Sequence, residues 1–473
     1  MAALALLSIG EAAPGDLPPG LGVVAGLTLV ERQVRQVRHA GIARVLLVAP
    51  ALPDALAARL GRDPAVQRVA TPEAAARVLA GLDDPGAPCL VIAPGLLVDQ
   101  RILSAMLASA PGPLQATFPE APAAAAARLD ARSFDGGVLL LPAARVARTL
   151  QGLGDWEMYA TLARAAAEAG TPRRNMAALD TYTPALRRQA PLLWAMPRTA
   201  KAKAAATDAV VAAAQKGCLD WPARFLHPAI ENALVRLLLP TRITPNMVTV
   251  ATALLGAAAT AAFVLGQPFV GLALVLLIGP LDGVDGKLAR SRVEFSRWGD
   301  LEHVLDKLLE YSWFLALGGW LAQQGHGLAA WLAALGIVAF ALAEATQGEF
   351  FRRFTGRQLD DWGGFERRFR LVGGRRNTFF WSLLPFAALG LWFEGLLMIL
   401  AYAAITFAVQ QWRFLKRLGE HGRAVSETVR ASFAATSYAF LPNGDGGSSG
   451  DGQATGRDRP ATAVARAAGD GHG

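Results

Sequence analysis

From Met247 onward, apolar runs of close to twenty residues follow one another, separated by short turns. A run of ~20 residues spans the hydrocarbon core of a bilayer as a helix. In lipid the backbone must satisfy its own hydrogen bonds, so each run has few alternatives to helix. Six spans are predicted, at 247–266, 269–289, 300–322, 328–349, 377–393 and 396–414. The turns "GQP" (266–268), "AQQGHG" (322–327) and "GLWFEG" (390–395) hold no Lys or Arg. The loop 351–376 holds eight arginines, and Arg413, Lys416 and Arg417 lie at the far edge. Lys and Arg collect on the cytoplasmic side, which predicts both termini there, in an inner membrane of bacterial type.

The first ~190 residues follow another rule. "ALALLSIG" (2–9), "ARVLLVAP" (43–50), "PCLVIAP" (88–94) and "GGVLLLP" (136–142) are short apolar runs ending in Gly or Pro, which reads as buried strands. Helical stretches such as 28–41 lie between them, so a mostly parallel sheet flanked by helices is expected over residues 1–190. An Ala-rich helical linker near 195–216 and an amphipathic helix at 220–240, laid on the membrane surface, fill residues 191–243 before a membrane domain at 244–418. The segment 442–473 is Gly/Ser/Asp-rich and expected to be disordered. Cys89 and Cys218 are far apart and read as reduced packing residues. The net charge of +8 is mostly arginine beside the spans, which favours membrane lipids over nucleic acid as the partner.

One stretch breaks the apolar pattern. "GPLDGVDGKLARSRVEFSRWGDLEHVLDKLLEYSWF" (279–314) carries Asp282, Asp285, Glu302 and Asp306 between two spans. Asp282 and Asp285 share one broad helix face with Gly286, Ala289 and Arg290, and Glu302 and Asp306 share one on the next helix. Two antiparallel neighbours would aim four carboxylates at one point, where like charges repel. A divalent cation removes that repulsion, and Mg²⁺ takes oxygen ligands while sharing its shell with phosphates. The four acids therefore point to a metal cage for a phosphorylated substrate. The bland readings are a solvated helix end for the D-x-x-D pair, a neighbour of the site for His303, pairing near Lys307 for Glu310, and a topology signal for the arginine loop. A sharper reading of that loop has Arg352, Arg353 or Arg357 gripping an acceptor phosphate.

The segment "DGVDGKLAR" with Gly299 resembles the signature of the CDP-alcohol phosphatidyltransferase family, D-x-x-D-G-x-x-A-R-x8-G-x3-D-x3-D. The literal continuation would place His303 and Lys307 at the last two acidic positions; one deleted residue after Gly299 restores Glu302 and Asp306. The resemblance implies a six-helix membrane enzyme that displaces CMP from a CDP-alcohol donor with the hydroxyl of a second alcohol, using two divalent ions, Mg²⁺ or Mn²⁺. It implies that Asp282, Asp285, Glu302 and Asp306 hold the metals, and that Asp306 also takes the acceptor proton. Gly286 and Ala289 would admit the nucleotide, Arg290 would steady the motif or the phosphates, and Asn246 in "TPNMVT" (244–249) would lie near the nucleotide.

"GLTLVERQVRQVRHAGIARVLLVAP" (26–50) is similar to the first strand–helix–strand region of sugar-phosphate nucleotidyltransferases. Joined to the membrane segment, it resembles the bifunctional inositol-1-phosphate cytidylyltransferase / di-myo-inositol phosphate phosphate synthase family. That resemblance implies a polyol-phosphate acceptor such as inositol phosphate, with homodimerisation open. The N-terminal motifs are poor. The loop 8–26 holds no basic residue, and Pro94 and Gly95 stand where a metal-binding Asp belongs, so triphosphate charge would go unneutralised. A degenerate nucleotidyltransferase-like domain is expected. The alternatives are a CDP-diacylglycerol-dependent phospholipid synthase and a catalytically weakened membrane scaffold.

Overall fold

The computed structural model describes residues 4–12, 15–110, 112–122, 126–295 and 299–421, with the side chains of 299–303 and 421 outside that description. The segment expected to be disordered, 442–473, falls outside it.

The strands expected at 2–9, 43–50, 88–94 and 136–142 form as Leu4–Ser8, Arg44–Val48, Pro88–Ile92 and Ser133–Pro142. The sheet runs in the order Arg173–Asn175, Leu114–Phe118, Ser133–Pro142, Pro88–Ile92, Leu4–Ser8, Arg44–Val48, Val66–Val69, with Arg128–Asp130 paired to 133–142. Pairings among 4–8, 44–48, 66–69 and 88–92 are parallel, as is that of 114–118 with 173–175. Strand 133–142 is antiparallel to both of its main neighbours. The sheet is therefore mixed: among the described residues four pairings are parallel, and the three antiparallel ones all involve strand 133–142. "GGVLLLP" is buried almost throughout, and a strand apolar on both faces reads the same in either direction. Its register shifts between Asp135 and Leu139, where Gly137 takes φ 76°, a value that favours glycine.

The helices of this region are α1 (Leu29–His39), α2 (Asp54–Leu60), α3 (Pro72–Ala80), α4 (Gln100–Leu107), α5 (Ala143–Gln151) and α6 (Met158–Glu168). The Thr28 hydroxyl caps α1 by accepting from the Glu31 amide at 3.3 Å. Trp194–Ala195 pairs with Leu97–Val98 in a separate two-stranded sheet, so the chain stays with the α/β region beyond residue 190.

The linker forms α7 (Ala200–Ala213), then α8 (Trp221–Phe225) and α9 (His227–Leu238). The helical region follows: α10 (Pro245–Val264), α11 (Pro268–Arg292), α12 (Gly299–Leu321), α13 (Gly327–Thr355), α14 (Gly364–Val372), α15 (Arg376–Ala388) and α16 (Trp392–His421). Four stretches among the described residues are long and apolar enough to cross a membrane: Pro245–Val264, Pro268–Arg292, Val304–Thr355 and Trp392–Glu420. The third is broken at Gly325 (φ 100°), which separates α12 from α13. Helix α15 has only 13 residues, short of a span by length, yet it supplies Phe379, Phe380 and Leu383 to the core. Phe380 stacks on Phe314 at 5.0 Å, and the Trp313 indole N–H donates to the Gly256 carbonyl at 2.8 Å.

Candidate active site

Helix α11 carries the first two acids. Proline at its first turn loses no hydrogen bond, and Val293 in the left-handed conformation (φ 51°) closes it. Gly279 and Gly283 lie one turn apart on it. His227 of α9 lies over Gly279 and Glu231 of α9 over Gly283, so any Cβ at either glycine would collide with them. These glycines seat a neighbouring helix. The same contact buries an ion pair: Lys287 Nζ lies 2.7 Å from Glu231 Oε2, also donates to Asn232 Oδ1 at 2.8 Å, and bonds Gln215. Helix α9 thus turns His227, Glu231 and Val235 inward, while Ile230 and Leu237 stay exposed.

The Asp282 and Asp306 carboxyl groups, from α11 and α12, face each other. Arg376 Nη2 donates to Asp282 Oδ2 at 2.6 Å. Asp285, one turn along α11, is buried and accepts from the Thr249 hydroxyl of α10 at 2.8 Å. The Glu302 side chain lies outside the described residues. Asn246 is exposed in the first turn of α10, and Ala289 is partly buried on α11. Arg290 folds back over Gly286, where a Cβ would meet its Nη1 at 3.0 Å, and its Nε donates to the Ala214 carbonyl at 2.8 Å. The free face of Gly286 is therefore occupied by the motif's own arginine. Among the described residues, no three Asp, Glu, His or Cys side chains are gathered as a metal site. The donors that do meet are carboxylates only, the chemistry of a hard divalent cation.

Two cations at this rim escaped sequence reasoning. Arg376 stands at the first turn of α15, where the helix dipole disfavours a positive charge, and Asp282 offsets that cost. Lys216 comes from the linker. The turn that carries it crosses 186–188 closely: the Gly217 amide donates to the Leu186 carbonyl at 2.7 Å, and a Cβ on Gly217 would come within 2.6 Å of Arg188 Cβ. Burial, with Arg290 and Arg187 nearby, holds the Lys216 ammonium below its ordinary pKa against the pull of Asp282 and Asp285. Further back, Arg370 and Arg375 both lie 3.3 Å from Asp360. The loop arginines singled out for a phosphate have other company. Arg352 and Arg353 pair with Glu349 at 2.7 Å, and Arg357 lies over the Trp362 ring at 5.4 Å. Glu310 pairs with Lys307 at 2.8 Å.

In the α/β region, ligands would be sought at the carboxyl ends of the parallel strands. At that edge the chain packs closely around two glycines. A Cβ on Gly10 would lie 2.8 Å from Pro94, and one on Gly95 would lie 2.5 Å from Pro19. The same edge borders a cavity of about 620 Å³, lined by Glu11, Pro19, Pro94, Arg128, Asp135 and Arg164 among others. Burial pushes the Asp135 carboxyl up to about 6, against the Tyr159 hydroxyl, which donates to it at 2.9 Å.

The fold and site define a helical membrane-type region with facing carboxylates at its rim, joined to a Rossmann-like α/β region. Residues 242–410 match the CDP-alcohol phosphatidyltransferase family model, so the helical region is a CDP-alcohol phosphatidyltransferase domain. The chain is 28% identical over 163 residues to the bifunctional IPC transferase and DIPP synthase of Aquifex aeolicus, covering 34% of this chain and 36% of that one. It is 36% identical over 110 residues to the protein of the same description from Thermococcus kodakarensis, covering 23% and 25%. The matches thus span about a third and a quarter of those relatives. The phosphatidylinositol phosphate synthase of Mycobacterium tuberculosis, solved with CDP-DAG bound, overlays at TM-score 0.33 with 21% identity, over 39% of this chain and 94% of that one. A UDP-glucose pyrophosphorylase from Acinetobacter baumannii overlays at TM-score 0.31 with 12% identity, over 50% and 100%.

Proposed function

We propose that this chain is a membrane-integral phosphotransferase that moves a phosphoalcohol group from a CDP-alcohol to the hydroxyl of a second alcohol and releases CMP. The observation that carries the reading is the approach of Asp282 and Asp306, from consecutive helices, with Arg376 bound to Asp282. Asp282, Asp285, Glu302 and Asp306 would hold Mg²⁺ or Mn²⁺, two ions by the family pattern. When bound, such ions neutralise phosphate charge and acidify a bound hydroxyl.

The chain's own residues divide the remaining work. Asp306, partly exposed, is placed to accept the proton of the acceptor hydroxyl. Thr249 donates to one Asp285 oxygen and the Gly286 amide to the other, so the carboxylate's orientation is held from both sides. Arg376 pairs with Asp282 beside Asp306, and Arg290 and Lys216 bring positive charge to the phosphates. Asn246, Gly286 and Ala289 belong to the nucleotide side of this proposal. The acceptor is a polyol phosphate such as inositol phosphate, in keeping with the printed description of the curated relatives. The domain limits are 1–190, 191–243 and 244–418, with six spans and both termini cytoplasmic.

The test is purified full-length protein in lipid nanodiscs with Mg²⁺ and a panel of CDP-alcohols, followed by CMP release. Release that disappears in Asp306→Asn supports the transferase. Well-folded protein that releases no CMP from any donor would leave the scaffold. For the α/β region we propose a degenerate, non-catalytic cleft, supported by the Pro19–Gly95 and Pro94–Gly10 contacts that narrow its strand-end edge. Pyrophosphate formed from CTP and a sugar phosphate would overturn that.

A further inference from the structure

The last four carbonyls of any α-helix lack intrahelical partners. In α11 these belong to Ala289, Arg290, Ser291 and Arg292. Two are met locally: the Glu294 amide donates to the Ala289 carbonyl at 2.9 Å, and the Val293 amide to that of Arg290 at 3.4 Å. The other two are met from the opposite end of the sequence. Arg32 of α1 donates to the Ser291 carbonyl, and Arg35 Nη1 donates to the Arg292 carbonyl at 3.1 Å. Arg35 also lies 3.6 Å from Glu294. Positive charge at a helix carboxyl end is favoured by the dipole as well as by hydrogen bonding.

This contact is anchored on both sides. Within its own region α1 is pinned by Gln33, which donates to the Ala93 and Leu96 carbonyls at 3.0 and 2.9 Å, and by Gln36, which donates to Val98 at 2.8 Å. Glu31 aims Arg35 by accepting from it at 3.0 Å, and is itself held by Arg59 at 2.9 Å. Arg32 is 3% exposed; burial and neighbouring Arg35 lower it to about 10, so it remains charged at neutral pH. Beneath the arginines, Val24, Ala25 and Leu29 share one apolar cluster with Val284 and Leu288 of α11 and Val235 and Leu239 of α9. Arg292 closes the arrangement by donating to the carbonyls of Leu238, Leu239, Thr241 and Ile243.

We propose that Arg32 and Arg35 are positioning residues for the transfer site: the α/β region caps the carboxyl end of α11 and so fixes the helix that carries Asp282, Asp285 and Arg290. Ser291 lies six residues beyond Asp285, ~9 Å along the helix at 1.5 Å per residue, near enough for a frayed last turn to disturb Arg290 and Asp285. The activity consequence rests on the transferase reading; the structural one does not.

The experiment compares full-length wild type, R32M, R32K and R35M in nanodiscs, with R38A as control, because Arg38 bonds only within its own region, to Asp63 and the carbonyls of Ile42 and Ala43. Hydrogen exchange of amides 287–294 is expected to rise roughly tenfold in R32M and R35M, less in R32K and not in R38A, while strands 4–8 and 88–92 keep their protection. CMP release is expected to fall about tenfold in kcat with donor KM within about twofold, as for a misplaced rather than missing group. Unchanged exchange at 287–294 overturns the cap whatever the activity does. Raised exchange with full kcat overturns the positioning role. If R32M does not fold, R35M decides by the same readings, since Arg35 is only partly buried. If wild type releases no CMP, the transferase reading fails while the exchange data still judge the cap.

Discussion

Arg376 and Asp282 are joined at 2.6 Å across 94 residues of sequence, one at the start of α15 and the other near the end of α11. The bond sets the charge balance of the rim, because Asp306 faces the same carboxylate. Arg376→Ala removes the cation bonded to Asp282 and leaves Lys216 as the nearby positive charge for two facing carboxylates. CMP release is expected to fall by about 100-fold or more, with Arg376→Lys recovering part of it, since Lys restores the charge without the planar fork. Wild-type turnover in Arg376→Ala would refute this role.

Thr249 gives a milder test. Its hydroxyl donates to Asp285 at 2.8 Å, and a hydrogen bond to a charged group is worth ~1.5–3 kcal/mol. Thr249→Val keeps the shape of α10 and is expected to lower turnover about tenfold or more and the thermal midpoint by several degrees. Equal turnover in the two proteins would show that Asp285 needs no such support.

Lys287 and Glu231 form a pair with side chains 1% and 6% exposed. Removing one partner from a buried pair typically costs ~3–5 kcal/mol, whereas replacing both with apolar groups can be near neutral. Lys287→Met should therefore lower the melting temperature sharply, and adding Glu231→Met should restore most of it. A double variant no more stable than the single one would contradict this account of how α9 is held.

Asp135 predicts a pH dependence. Its carboxyl is raised in the folded protein, from 3.8 to about 6, so the folded state binds the proton more tightly than the unfolded chain does. Stability of the α/β region should then fall as pH rises from about 4 to about 6, by up to ~3 kcal/mol, and stay low above that. Protection of strand 133–142, corrected for intrinsic exchange, reads this out. Asp135→Asn should flatten the profile and raise protection at pH 7.5, because the amide oxygen still accepts from Tyr159. A profile rising with pH would show the opposite sign.

What the sequence revealed follows from how local each signal was. The spacing of Asp282, Asp285 and Asp306 is a helix-face argument; Asp282 and Asp306 meet across the two helices, while Asp285 accepts from Thr249 of α10. The residues that complete the rim are remote: Arg376 lies beyond two further long helices, and Lys216 arrives through a turn that depends on Gly217 passing Arg188. In "GPLDGVDG" Gly286 reads as room for a ligand, while Gly279 and Gly283 seat α9, a use no single-helix argument can distinguish. Strand positions were legible from apolar runs, but the direction of 133–142 was not, because no residue type marks it. Apolar length located the helices of the membrane region, while α15, at 13 residues, owes its place to Phe379 and Phe380 packing rather than to span length.

The exposed side of α8 and α9 has a consequence for where chemistry occurs. Phe225, Ile230 and Leu237 point away from the protein on the same short helices whose inner residues grip α11. In the proposed membrane setting such a stripe would act as a float, setting the depth at which the protein rides in a leaflet. Because α9 is bolted to α11 through Glu231, that depth is passed to the aspartates, which would hold the level of the lipid headgroups even where bilayer thickness varies.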